Sequence, residues 1–279
     1  NAVPCQKKVT ARWGGSPRDG SRPVKWVLLD FPATVAANGE ALYYLRRAHD
    51  QAIPSSAVRV SDDGTTVSVD TGAAVFRLGR GSFALFSGVE LAGAGSALGP
   101  SGDNGFTVTA GGVAYRSAAA APASLSVDED GPLRAVVTVR GSHTSPGGGS
   151  LLHYTARLRF YAGSSRADVL YTLENHEPFR PDDMGQPQCW DIGCPGSVRF
   201  SGLYLSLVPG VGASPVLTLD PGEGGAAPYS SRGGELSLYQ ESSGGEAWDF
   251  HRGHYPRPQA HVSFRGWREI GRASCRERV

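Results

Sequence analysis

The sequence predicts an all-β protein, with a small N-terminal β unit followed by a large antiparallel β-sandwich. Turn residues are abundant, at 38 glycines and 19 prolines in 279 residues, and they separate short runs of Val, Leu, Thr and Tyr. Those runs alternate apolar and polar residues at period two, the signature of half-buried strands. No window of eleven or more residues carries an apolar stripe at i, i+3, i+4 and i+7.

The elements follow in order. In "VTARW", Val9, Ala11 and Trp13 alternate with Thr10 and Arg12, which opens the chain directly into a strand. "VKWVLLDF" sets Val27, Leu29 and Phe31 on one face and Trp26 and Leu28 on the other, the pattern of a strand buried on both sides. "GEALYYLRRAHDQ" comes nearest to a helix, but its place after "PATVAANG" and before Pro54 favours a strand. The smaller β unit is expected to span 1–57 and the sandwich 58–268.

"AVRVSDDGTTVSVDTG" reads as a hairpin turning on Asp63-Gly64. "AAVFRLGRGSFALFSGVELAG" adds two strands around a Gly-Arg-Gly turn. "LRAVVTVRGSH" points Leu133, Ala135, Val137 and Val139 inward and Arg134, Thr138 and Arg140 outward. "LLHYTARLRFYAG" sets Leu152, Tyr154, Ala156, Leu158 and Phe160 opposite His153, Thr155, Arg157, Arg159 and Tyr161. "RADVLYTLEN" and "VRFSGLYLSL" continue at period two.

Charge and length narrow the function classes. With 27 basic and 26 acidic residues the net charge is +1, which points away from nucleic acid as a partner. No stretch approaches the roughly 18 apolar residues of a membrane-spanning helix, so no membrane partner is expected. Neither a methionine nor a leader pattern precedes the first strand, and we expect the N-terminus to be cut. At the other end, Ile270–Val279 reads "IGRASCRERV", which is what the reverse complement of a widely used sequencing adapter encodes in frame. Residues 269–279 are therefore expected to be translated adapter, with the native chain continuing where they begin.

Setting Cys275 aside with that tail leaves Cys5, Cys189 and Cys194. "CWDIGC" has four residues between its cysteines, so a small loop closed by a Cys189–Cys194 disulfide is feasible in an oxidising compartment. A zinc site would need two further ligands, and no second CxxC or HxxxH run supplies them. No resident cofactor is implied. Calcium is an open alternative at "NHEPFRPDDMG", where Asn175, His176, Glu177, Asp182 and Asp183 cluster, although the spacing of a calcium loop is absent and a turn-rich connection explains the segment equally well. The glycines of "GRGSF" and "PGGGS" do not lead a strand into a helix, so a phosphate loop is disfavoured. Arg157 and Arg159 read most simply as solvated.

Five segments in order, "VPCQKKVTARW", "VKWVLLDFPATV", "TVSVDTGAAVFRLGRGSFALFSGVEL", "GPLRAVVTVRGSH" and "LHYTARLRFYAGSSRADVLYTLEN", resemble the exo-rhamnogalacturonan lyase and YetA-like family. The resemblance implies that the small N-terminal unit is an incomplete RIFT-type β-barrel, followed by a central β-sandwich and a C-terminal α/α toroid, the last missing here and expected as a partner within the same chain. It implies a polysaccharide or oligosaccharide substrate and β-elimination at a uronate. That chemistry needs a cation or donor to neutralise the carboxylate, a base for the C5 proton and an acid for the leaving oxygen.

"DFHRGHYPRPQAH" brings suitable types together. His251, Arg252, His254 and Tyr255 are the candidate catalytic residues, with Arg257 and His261 beside them, and the main groove is expected in the toroid. Trp190 and Trp248 are candidate sugar-stacking residues. A polymer substrate implies a secreted or periplasmic location. Two classes stay open: an inactive fragment of a uronate-cleaving lyase, or a carbohydrate-binding or structural β module.

Overall fold

The computed structural model describes residues 2–46, 52, 54–99, 104–176, 198–208, 210, 216–219 and 229–232. The chain divides into two compact units, Asn1–Gly210 and Val211–Val279. Every strand pairing described is antiparallel, and the helical content described is one 3-10 turn at Ser117–Ala119. The protein is all-β, as the period-two patterning predicts.

The first unit opens with the hairpin β1 (Gln6–Arg12) and β2 (Val24–Asp30), paired from Gln6↔Asp30 to Arg12↔Val24. A five-stranded meander follows: β3 (Arg59–Asp62), β4 (Thr66–Asp70), β5 (Ala74–Gly79), β6 (Gly88–Leu91) and β7 (Gly95–Ser96). Asp62 and Asp63 close the β3–β4 turn by accepting the amides of Gly64, Thr65 and Thr66. Gly64 takes φ +85° there, a conformation that favours glycine.

The second sheet holds β8 (Gly105–Ala110), β9 (Val113–Arg116), β10 (Ser124–Asp130), β11 (Arg134–Thr144), β12 (Ser150–Tyr161), β13 (Ala167–Glu174) and β14 (Gly202–Ser206). Its order is β13-β12-β11-β9-β8-β14, with β10 also paired to β11. In the second unit β15 (Val216–Leu219) pairs with β16 (Tyr229–Arg232).

The two large sheets share one core and so form a sandwich. Val67, Val69, Phe76 and Leu78 from β4 and β5 meet Val137, Val139, Ala156, Leu158 and Phe160 from β11 and β12, all buried. Phe76 lies 5.0 Å from Phe160 and 5.2 Å from Phe86 between ring centroids, in tilted pairs. Ser117 ties the sheets by a polar contact: its hydroxyl donates to the Phe83 carbonyl at 2.8 Å and accepts the Phe106 amide at 3.0 Å.

Four expectations change. β2 is largely exposed rather than buried on both faces, because a two-stranded hairpin has no second layer among the described residues; Trp26 is 63% exposed. Residues 41–46 form no strand, lacking a pairing partner among the described residues, and Leu42, Tyr44 and Leu45 are exposed. The β5–β6 connection spans 80–87 and sends Phe83, Leu85 and Phe86 into the core, so it is a core-filling loop rather than a Gly-Arg-Gly turn. Finally, Arg134 and Thr138 on β11 point outward by register yet are buried, because the N-terminal hairpin and β10 cover them.

That cover is a specific polar joint. The Gln6 side-chain oxygen accepts the amides of Leu133 and Arg134 at 2.9 and 2.8 Å, and its nitrogen donates to the Arg134 carbonyl at 2.9 Å. Lys8 and Arg134 both donate to Glu129, and Arg134 also reaches Asp30 at 2.8 Å. Burial disfavours the charged form of Glu129, but hydrogen bonds from Lys8 and Arg134 outweigh it and hold the carboxyl below its ordinary value. Gly131 leaves room for Gln6, since a Cβ there would lie 2.3 Å from the Gln6 carboxamide carbon.

Candidate functional site

Among the described residues, imidazole, phenol and carboxylate groups gather where β11, β12 and β13 run side by side. The β11–β12 ladder pairs Ser142 with His153 and then His143 with Leu151, so Leu152 is the extra residue of a bulge. Leu152 takes φ +50° there, uncommon for a residue with a branched side chain. Its carbonyl turns to His143 and meets Nδ1 at 2.9 Å.

His143 is fully buried, in phase with the inward Val137 and Val139. A carbonyl can only accept, so Nδ1 carries the proton and Nε2 accepts from the Tyr171 hydroxyl at 2.7 Å. Burial therefore holds the ring neutral and pushes its pKa below the ordinary value, against the raising influence of its backbone bonds. Tyr171 stacks on Phe106 at 3.6 Å and lies 5.4 Å from Tyr154. Burial also pushes the hydroxyls of Tyr154 and Tyr171 upward, so both stay protonated. The Tyr154 hydroxyl is buried without a hydrogen-bond partner. Among the described residues this inner cluster packs against the core beneath the bulge.

The outer face above it is open. Alternating with the buried Leu152 and Tyr154, His153 is exposed beside the end of β13 and stacks on His176 at 4.1 Å. Glu174, paired with His153 across the ladder, accepts from the buried Thr155 hydroxyl at 2.6 Å and lies 3.2 Å from His176 Nε2. The Thr155 hydrogen bond, with His176 and Arg140 nearby, holds the Glu174 carboxyl below its ordinary value. Further along this face stand Arg140, Arg157 and Arg159, with Arg140 beside Thr155 and Arg157 beside Thr138. The arrangement presents cations and imidazoles to solvent, suited to holding a carboxylate. It supplies one wall, and the described residues place no second wall opposite it.

The sequence-predicted site residues fall mostly elsewhere. His251, Arg252, His254, Tyr255, Trp190, Trp248, Cys189 and Cys194 lie outside the described residues, as do Glu177, Asp182 and Asp183 of the calcium alternative. Asn175 and His176 of that alternative lie just beyond β13, where His176 is engaged with Glu174 and His153. Among the described residues no three His, Cys, Asp or Glu side chains converge as metal ligands. Cys5 is a free, half-buried thiol. The described part of the chain also contains no helix long and apolar enough to cross a membrane.

Sequence reasoning missed His143, although its phase with Val137 and Val139 marked it as inward. It also missed the His153–His176 stack, which depends on the β12–β13 register that alternation does not encode.

Residues 58–178 match the family model of the PcRGLX-like protein central beta sandwich domain. The matched stretch runs from the start of the five-stranded sheet to just beyond β13, and so includes the His143 cluster and the outer face of β11–β13. It associates this sandwich, at a coarse level, with rhamnogalacturonan lyase-like proteins. No curated protein matches the chain.

Proposed function

We propose that this chain is part of a polysaccharide lyase that acts on rhamnogalacturonan or a related uronate-containing glycan by β-elimination, and that the chain alone does not cleave it. The observation that carries the reading is the match of residues 58–178 to the central sandwich of rhamnogalacturonan lyase-like proteins. In this reading residues 1–57 belong to a small RIFT-type barrel, the sandwich extends to 268, and an α/α toroid of the same chain supplies the rest of the groove. Export to the periplasm or beyond the cell follows from a polymeric substrate.

Chemistry supports assigning the sandwich a supporting role. Elimination requires a neutralised carboxylate, a base at C5 and an acid at the leaving oxygen, all converging on one sugar. Among the described residues the outer face of β11–β13 offers cations and imidazoles on one side only, and the buried His143 is already committed at both nitrogens. In the proposal His251, Arg252, His254 and Tyr255 line the rim or supply the acid–base pair, and Trp190 and Trp248 stack on sugar rings.

The test compares this chain with its longer parent on rhamnogalacturonan, following ultraviolet absorbance of the unsaturated uronate. The parent should produce it and this chain should not; cleavage by this chain, or none by the parent, overturns the reading. Substituting His254 or Tyr255 in the parent should lower turnover by more than about a hundredfold if this segment provides base or acid. A carbohydrate-binding module without catalysis is the second reading, favoured by the single open wall; it predicts glycan binding by a parent that forms no unsaturated product.

A further inference from the structure

We infer that the outer face of β11–β13 is a binding stripe for the carboxylates of an acidic oligosaccharide, with Arg140, Arg157 and Arg159 as its cations. The inference rests on the uronate reading for the chemistry of the sugar and on the register for the site. Arg140 pairs with Thr155, and Arg157 lies two residues further along β12, so the two stems rise one diagonal apart, about 7–8 Å between Cα atoms. Arg159 continues the same face another two residues on, about 6.6 Å further.

These three differ from the arginines that are locked into salt bridges. Arg77, Arg80, Arg134 and Arg166 are each paired with a carboxylate, whereas Arg140, Arg157 and Arg159 make no hydrogen bond or ion pair with any described residue. Carboxylates share this face: Glu174 is near enough to interact with Arg140, and Asp168 stands opposite Arg159 across the β12–β13 ladder, but neither forms a salt bridge with these arginines. Asp128 accepts the hydroxyls of Ser126 and Thr138, Asp168 holds Arg166, and Glu174 holds Thr155 and His176. Arg140 and Arg159 are exposed and Arg157 is half-buried. The +1 net charge does not show where such unbridged guanidinium groups sit, because a total says nothing about placement.

Guanidinium groups suit a planar carboxylate through paired N–H donors, and His153 and His176 extend the row with donors toward sugar hydroxyls. A linear acidic glycan laid along β12 would meet these groups in succession.

The experiment measures binding of trigalacturonate and hexagalacturonate to the full chain by calorimetry at low and moderate salt, with a neutral galactan oligomer as comparison. The acidic oligomers should bind, the longer more tightly, with affinity falling as salt rises. Arg140→Gln with Arg159→Gln, both exposed, should weaken binding by about tenfold or more, and the paired lysine replacements should restore part of it. Arg77→Gln, on the other sheet, should leave it unchanged. No binding of acidic oligomers, equal binding of the neutral one, or affinity indifferent to the double replacement overturns the stripe. Because the readout is binding, it separates from catalysis: binding without elimination by the parent sinks the lyase reading alone, and elimination with indifferent stripe variants sinks the stripe alone.

Discussion

Replacing Tyr154 by phenylalanine should stabilise the protein, against the usual direction of core substitutions. Tyr154 is 1% exposed, and its ring stacks at 5.3 Å on Phe83 and 5.4 Å on Tyr171. Its hydroxyl has no partner, so folding strips water from a polar group and returns nothing for it. That desolvation costs about 1–3 kcal/mol. Phenylalanine keeps the ring and its contacts and removes the unpaired oxygen, so the gain should be about 1–2 kcal/mol, or about 2–8 °C in Tm for a fold of this size. Gly141 supplies the control. A Cβ there would sit 2.5 Å from the Tyr154 oxygen and 2.7 Å from its ring carbon, so Gly141→Ala should destabilise by about 1–3 kcal/mol through overpacking. In the double variant Tyr154→Phe should recover part of that loss, since the oxygen is the nearest clash but not the sole one. Urea unfolding followed by far-UV circular dichroism measures all four corners of the cycle. A loss of more than about 0.5 kcal/mol on Tyr154→Phe would show that the hydroxyl has a partner and refute the argument.

Three further outcomes are expected. His143 is neutral and depressed when folded, while the unfolded chain protonates it as pH falls through about 6.5; the stability it contributes is present above that pH and lost below it at up to about 1.4 kcal/mol per unit, so the urea midpoint should decline from pH 7 to 5 and His143→Gln should flatten that slope. Glu129→Gln should cost about 3 kcal/mol by leaving Lys8 and the buried Arg134 short of a counter-charge, and the stability tied to Glu129 should be present above its ordinary value of 4.5 and lost as pH falls through its lowered folded one, read from unfolding curves between pH 6 and 3. Cys189 and Cys194 should pair in protein matured under oxidising conditions while Cys5 stays reduced, and mass spectrometry of a non-reducing digest that found both Cys189 and Cys194 as free thiols would reject the pairing.

The strands of the sandwich were legible because alternation is a local consequence of the pleat. Leu152, Tyr154, Ala156, Leu158 and Phe160 share the buried face that period two assigns them. Asp63-Gly64 turns the β3–β4 hairpin for reasons contained within four residues. What alternation cannot convey is what lies over the other face. Arg134 and Val24 sit in equally plausible strand patterns, yet Arg134 is 9% exposed and Val24 47%. The difference arises from Gln6, Lys8 and Asp30, more than a hundred residues from Arg134 in sequence, closing over one strand while nothing described closes over the other. The bulge at Leu152 was invisible for a related reason: it is fixed by the fit of β11 against β12 and by the buried His143 accepting its place beneath.

The same contrast explains why the two ends of one sheet face serve different purposes. At the Arg134 end, two carboxylates and a glutamine amide meet a single guanidinium and the backbone beside it, a compensated network that fastens one element to another and leaves no cation for a ligand. Toward Arg140 and Arg157 the register continues, but the nearby carboxylates accept from Thr138, Arg166 and Thr155 and form no salt bridge with either arginine. An arginine locked in a salt bridge holds the fold; one outside any salt bridge is left to water or an incoming anion. Position on the strand does not distinguish the two kinds, and neither does net charge. What separates them is the partner, which is why replacing Glu129 should be read in stability and replacing Arg140 with Arg159 in binding.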